Sequence, residues 1–230
     1  MNKFRIFIRF CKGMLIILAL KAGPLVASIL RLFIFRAAVT HFKGKSVFCT
    51  GAAPSAKRPK KNYDRYVAIA HASKLLVDTF RVECDLNVMG GLNKKREYAK
   101  NVHQLLVTGL SNTRRNVPYS SFIKHKNFFS VHNGIRAFIV NYICKTNYLD
   151  NIPVHRYTNV GSGSWTLAFL IFLGVKSVHI TGINLRTGTD SRAPRYFDGL
   201  VSAEYEKEID YNQSRFRNHA SPDLNVFSSI

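Results

Sequence analysis

Past Lys45 the chain alternates short β-rich apolar runs with stretches of helical period. The runs are Ser46-Val47-Phe48-Cys49, Arg65–Ala70, Cys84–Met89, Gln104–Val107 and Ser177–Ile180. Each one finishes in small or polar residues: Thr50-Gly51-Ala52-Ala53-Pro54-Ser55, His71-Ala72-Ser73, Gly90-Gly91, Thr108-Gly109 and Thr181-Gly182. Runs bounded by such turn residues read as strands, and strands separated by helical segments pair in parallel. The pattern therefore predicts an α/β domain over 44–230, a doubly wound and mostly parallel sheet with its ligand loops at the carboxyl edge. Within it Trp165–Leu173 is apolar apart from Thr166, which predicts a buried helix capped by Gly174 and followed by the strand Ser177–Ile180.

Residues 1–43 follow another pattern. They contain eight Lys/Arg (Lys3, Arg5, Arg9, Lys12, Lys21, Arg31, Arg36 and Lys43) and no acid, set among apolar and aromatic residues. The apolar run from Met14 stops at Lys21, resumes after Gly23-Pro24 and ends before Arg31. A spanning helix needs about 20 apolar residues, and a cation near its centre costs about 2.5–3.5 kcal/mol. The expectation is a basic amphipathic helical segment, broken at Gly23-Pro24, that lies in an anionic headgroup layer. A single span and a helix packed on the domain are the alternatives. Either membrane form places the protein at the cytoplasmic face of a membrane, as a peripheral or single-span protein.

Composition narrows the function classes. The 230 residues are 47% hydrophobic and 20% charged, which excludes disorder as the main state. The 34 Lys+Arg against 13 Asp+Glu give a net charge of +21, so the partner is anionic: nucleic acid, an acidic membrane or a phosphorylated substrate. The four cysteines, Cys11, Cys49, Cys84 and Cys144, stand far apart without a metal-ligand spacing. They read as reduced thiols, and no metal or cofactor is expected.

Two features carry chemistry. Gly161-Ser162-Gly163-Ser164 opens the apolar helix. Free amides and the positive end of the helix dipole make that opening an anion site, unless it is only a flexible entry to a buried helix. His219 stands just before Ser221-Pro222-Asp223, an N-cap followed by Pro at the first helical position. A loop histidine there suits proton transfer near neutral pH, or is simply a polar loop residue.

In order along the chain, these pieces resemble the bacterial sialyltransferases of glycosyltransferase family 42. Thr50-Gly51-Ala52-Ala53-Pro54-Ser55 is similar to the family's first-strand loop, Gly-Asn-Gly-Pro-Ser. Tyr63-Asp64-Arg65-Tyr66-Val67 through His71 resembles its second strand. Ser162-Gly163, the helix to Leu173-Gly174 and Lys176–Asn184 resemble its Ser-Gly helix, Leu-Gly corner and following strand without a gap. Tyr196-Phe197-Asp198 and His219 are similar to its tyrosine loop and catalytic histidine. The chain departs from the pattern at Ala52, His71 and Asn159, where the family has Asn, Asn and Arg.

The resemblance implies a GT-A-like variant of the doubly wound sheet and a metal-independent transfer, with inversion, of an acidic sugar from a CMP-linked donor to a glycan or glycolipid acceptor. By that resemblance His219 is the base, a tyrosine pair stabilises the leaving phosphate, with Tyr196 as one member and Arg186 at the other position acting by charge instead, and Gly51, Ala52, His71, Asn159, Ser162, Gly163, Ser164 and Gly182 line the donor site. The three departures leave the donor open to another CMP-linked acid or another nucleotide. Two other classes remain. A basic nucleic-acid-binding protein would use Lys57-Arg58-Pro59-Lys60-Lys61, Lys94-Lys95-Arg96 and Arg114-Arg115, but leaves the Ser-Gly helix and His219 idle, which makes nucleic acid the weaker partner. A non-catalytic membrane-associated scaffold would need only residues 1–43.

Overall fold

The computed structural model describes Met14 and residues 22–89, 102–108, 128–131, 133–144 and 162–183. Residues 1–13, Asn159, Arg186, Tyr196 and His219 lie outside the described residues, as do the basic clusters at 94–96 and 114–115.

Six strands form one sheet: β1 Ser46–Thr50, β2 Arg65–Ile69, β3 Cys84–Met89, β4 Val102–Thr108, β5 Phe128–Val131 and β6 Ser177–Thr181. Their order is β5-β4-β3-β2-β1-β6, and all five pairings are parallel. The chain steps outward from β1 to β5, then returns past β1 to place β6 on its other side. A right-handed crossover covers one face going outward and the opposite face returning. The coverings follow this rule. Segment 51–64 and helix α3 (Ala72–Lys74, continued by a π-helical segment Leu75–Phe80) connect the outward strands. Helices α4 (Asn133–Cys144) and α5 (Ser162–Phe172) lie on the return path.

The two cores follow the period-two alternation of buried strands. Val47, Cys49, Val67, Ile69, Leu86 and Val88 join Ile139, Trp165, Phe169 and Phe172 on the α4/α5 side. Phe48 and Ala68 join Leu75, Leu76 and Phe80 on the α3 side. Wide strand burial is what a sheet covered on both faces requires. Burial pushes the thiol of Cys49 up to about 12 and that of Cys144 to about 11, so both are protonated and inert at neutral pH.

Helix α1 (Gly23–Ile29, continued as a π-helical segment Leu30–Ile34) starts with Pro in its first turn, the position where a missing N–H costs nothing. It meets α2 (Arg36–Phe42) at a 91° bend. Phe35 fills the corner, with its ring 5.2 Å from that of Phe169. Ala27, Leu30, Phe35, Ala38 and Phe42 are buried in the α4/α5 core. The described part of the segment 1–43 thus shares its core with the domain drawn from residue 44.

Helix α5 starts three residues before the expected Trp165, because Ser162, Gly163 and Ser164 form its first turn. The Thr166 hydroxyl donates to the Ser162 carbonyl at 2.6 Å across that turn. At the other end Gly174 has φ +81°, the left-handed cap expected from the sequence, and its carbonyl accepts from the Gly44 amide at 2.8 Å.

Candidate functional site

Where strand order reverses, the loops leaving two neighbouring strands diverge, and ligands of open α/β sheets bind in that crevice. Here the reversal falls between β1 and β6. Their ends interlock. The Gly51 amide donates to the Thr181 carbonyl at 2.9 Å, and the Ala53 amide to the Gly182 carbonyl at 3.0 Å. The Lys57 amide donates to the Thr181 hydroxyl at 2.8 Å, and that hydroxyl donates to the Ser55 carbonyl at 3.2 Å. Both glycines are required by close approach. A Cβ on Gly51 would lie 2.2 Å from the Gly182 oxygen, and Gly182 itself has φ +63° with Ala56 against it.

The first turn of α5 reaches the same place, since a Cβ on Gly163 would meet the Ile183 side chain at 2.9 Å. Gly51, Ala52, Gly163 and Gly182 are therefore neighbours along one edge, with Ser162 beside Gly163. Ser164 is buried in the core below. His71 lies on the same edge, buried at the end of β2 where the chain enters α3. It follows Ala70, whose φ of +54° is a left-handed conformation that costs an alanine about 1–2 kcal/mol. Backbone strain of this kind gathers at functional sites.

Several polar groups on this edge were not singled out from the sequence. The register aligns Thr181, Thr50, Ala68 and Asn87 in one row across the sheet, on the α3 side. Asn87 is fully buried, and its amide donates to the Ser73 hydroxyl at 3.1 Å. The Asn87 oxygen has no hydrogen-bond partner. The signal for Asn87 was its place as a polar residue within an apolar strand. Arg136, in the first turn of α4, is buried with its guanidinium 5.8 Å from the ring of Trp165 in the first turn of α5. A lone Arg within the apolar stretch 134–144 was the corresponding signal.

The electrostatics of the edge follow from strand direction. Four carboxylates occur among the described residues: Asp64, Asp78, Glu83 and Asp85. Asp64 precedes β2, Glu83 precedes β3, Asp85 is the second residue of β3, and Asp78 lies late in the descending α3. All four stand toward the amino end of the sheet. The carboxyl edge instead holds Lys57, Arg136 and the amino ends of α4 and α5, whose dipoles add partial positive charge. That edge is suited to an anion. Among the described residues no three His, Cys, Asp or Glu side chains cluster as metal ligands would.

These features define an α/β protein with a parallel sheet whose described carboxyl edge carries cations and helix amino ends beside its topological switch point. Comparison with known proteins returns no matching family, no curated relative and no solved structure.

Proposed function

We propose that the chain is a metal-independent inverting glycosyltransferase, built on a GT-A-like variant of the parallel sheet and working at the cytoplasmic face of a membrane. It moves sialic acid or a similar keto-acid sugar from a CMP-linked donor to a glycan or glycolipid acceptor. The observation that carries this reading is the meeting of the Gly51, Gly163 and Gly182 backbones at one edge that holds no carboxylate among the described residues. Three segments distant in the sequence, each resembling a donor-binding part of one enzyme family, converge where a parallel sheet binds ligands.

The chemistry assigned to the residues is as follows. His219 removes the acceptor hydroxyl proton while that oxygen attacks the anomeric carbon from the face opposite the phosphate. The bond from carbon to phosphate oxygen breaks, and CMP leaves with the electron pair. Arg186 and Tyr196 offset the charge that grows on it, the role otherwise played by a cation. The chain contains no Asp-x-Asp pair to bind one. Asn159, Ser162 and the first amides of α5 hold the acidic donor.

Calorimetric titration of the full chain with CMP, UMP, GMP and a short RNA tests the reading. CMP is expected to bind and RNA to compete poorly. His219→Ala is expected to keep CMP affinity while turnover falls by about 10²–10⁴, the usual contribution of a positioned base. A folded chain that binds RNA and no nucleotide would move the protein to the nucleic-acid class.

A further inference from the structure

Helix α1 has two apolar faces. One is spent on the core through Ala27 and Leu30. The other looks outward and is also apolar: Leu25 is 65% exposed, Ile29 45%, Leu32 63%, Phe33 78% and Ile34 54%. Spacings of four and then five residues, set by the α-helical and the π-helical halves, keep Leu25, Ile29 and Ile34 in line, with Leu32 and Phe33 flanking them.

The polar groups of α1 are satisfied within the protein. The Ser28 hydroxyl donates to the Pro24 carbonyl at 2.9 Å and so is satisfied within the helix. Arg31, the one charge from Gly23 to Phe35, bends inward: its Nε donates to the Phe172 carbonyl at 2.7 Å, and its guanidinium lies 4.7 Å from the Phe172 ring centre. It caps the carboxyl end of α5, where a cation is favoured. A surface helix in water normally keeps its charges outside.

From this arrangement we infer that the outer face of α1 is a lipid-facing surface, which seats the domain on an anionic bilayer as a monotopic protein. Charge complementarity selects this occupant. Residues 1–43 hold eight cations and no acid, and Arg36 and Lys43 are exposed on α2 and just past it. Apolar residues flanked by such cations match the acyl boundary and headgroup layer of anionic lipid. The bend at Phe35 makes α1 lie along the surface instead of continuing across it. α2 cannot leave the domain to complete a span, because Ala38 and Phe42 are core residues and His41 Nε2 is 2.9 Å from Asp85 Oδ1.

The placement sets an orientation. Arg31 contacts the last residue of α5, while the first turn of α5 is at the carboxyl edge of the sheet. Eleven helical residues span about 16 Å, so that edge is held about that far from the lipid-facing helix. This inference rests on the membrane part of the reading above and not on its transfer chemistry.

The test uses the full chain with phosphatidylcholine vesicles, with and without phosphatidylglycerol. The parent is expected to sediment with the anionic vesicles, and Leu32→Ser with Phe33→Ser to weaken partition more than about tenfold, since both side chains are removed from lipid. Because both positions are exposed, the urea midpoint should not move. In a separate Phe33→Trp variant, added anionic vesicles are expected to shift the emission to shorter wavelength over a constant background from the fully buried Trp165. The inference is overturned by unchanged sedimentation of the double variant, by an unshifted Phe33→Trp emission, or by a lipid-free parent dimer that the double variant dissociates. Retention after both high salt and alkaline carbonate also overturns it in favour of a span. CMP titration of the same samples separates the two readings: lipid binding without CMP binding leaves this face standing and removes the enzyme.

Discussion

At the amino edge of the sheet, carboxylates are used as pins. Asp85 accepts from the Tyr66 amide at 2.8 Å, lies 2.9 Å from His41 Nε2 and stands 3.6 Å from Arg65 Nε, tying α2, β2 and β3 together. Asp64 accepts from both the amide and the hydroxyl of Ser46, tying β1 to the residue before β2. The carboxyl edge has no carboxylate among the described residues and is fastened by backbone: Gly51 and Gly182 lie too close for any side chain. The contrast shows how one sheet separates stability from binding. Where charge is neutralised locally, no field remains for a ligand. Where two loops are locked through amides and carbonyls, no described carboxylate offsets the cations and helix ends of that edge.

The largest expected effect comes from breaking the backbone lock. Gly182→Ala places a Cβ 2.5 Å from the Gly51 oxygen and 2.7 Å from the Ala56 Cβ, in a left-handed conformation. Backbone atoms cannot yield as a flexible side chain can, so a loss of about 3 kcal/mol or more is expected in urea denaturation. Gly163→Ala is the control on the same edge, because its close neighbour is the Ile183 side chain, which can shift. A Gly182→Ala protein with the parent's midpoint would show that the two loops are not locked.

Next in size is Asp85→Ala, which leaves the Tyr66 amide and His41 without their acceptor. Truncating a mostly buried acceptor costs about 1–3 kcal/mol, and Asp85→Asn should recover part of it by keeping an oxygen for the amide. Full recovery by Asn would show that the carboxylate charge contributes nothing.

The sequence carried much of this architecture, and the misses have physical causes. The run Cys84–Met89 is a strand with the expected bounds, since both of its faces are covered and every position is buried. The run from Arg65 ends one residue early because Ala70 turns left-handed. β5 was not read, as Phe128–Val131 is too short for alternation to register. The start of α5 was placed late because Gly and Ser suggest a loop, whereas at Gly163 the missing Cβ serves the approach to Ile183. In α1, sequence pattern could not say that both faces are apolar, since it does not reveal which face is already packed. Gly51, Gly163 and Gly182 were legible as candidates by motif. The lack of carboxylates among the described residues of that edge was not, because it depends on the direction of each strand.

The smallest expected effect sharpens the comparison through pH. The two hydrogen bonds from Ser46 hold the Asp64 carboxyl below its usual range, helped by Lys45 and Arg65 nearby. A carboxyl whose folded pKa is lowered adds stability above its unfolded pKa of about 3.9, and that contribution is lost as pH falls through the lower folded value. Asp64→Asn should therefore be slightly less stable than the parent from neutral pH down to about pH 5, with the difference closing in more acid solution. Because Asp64 is fully exposed, water and salt screen the effect, and it should shrink at high ionic strength. Urea midpoints of the two proteins between pH 3 and 7 measure it. A gap that stays constant to pH 3 would mean that the Ser46 contacts act as neutral hydrogen bonds, so that the amino edge is pinned by geometry and not by charge.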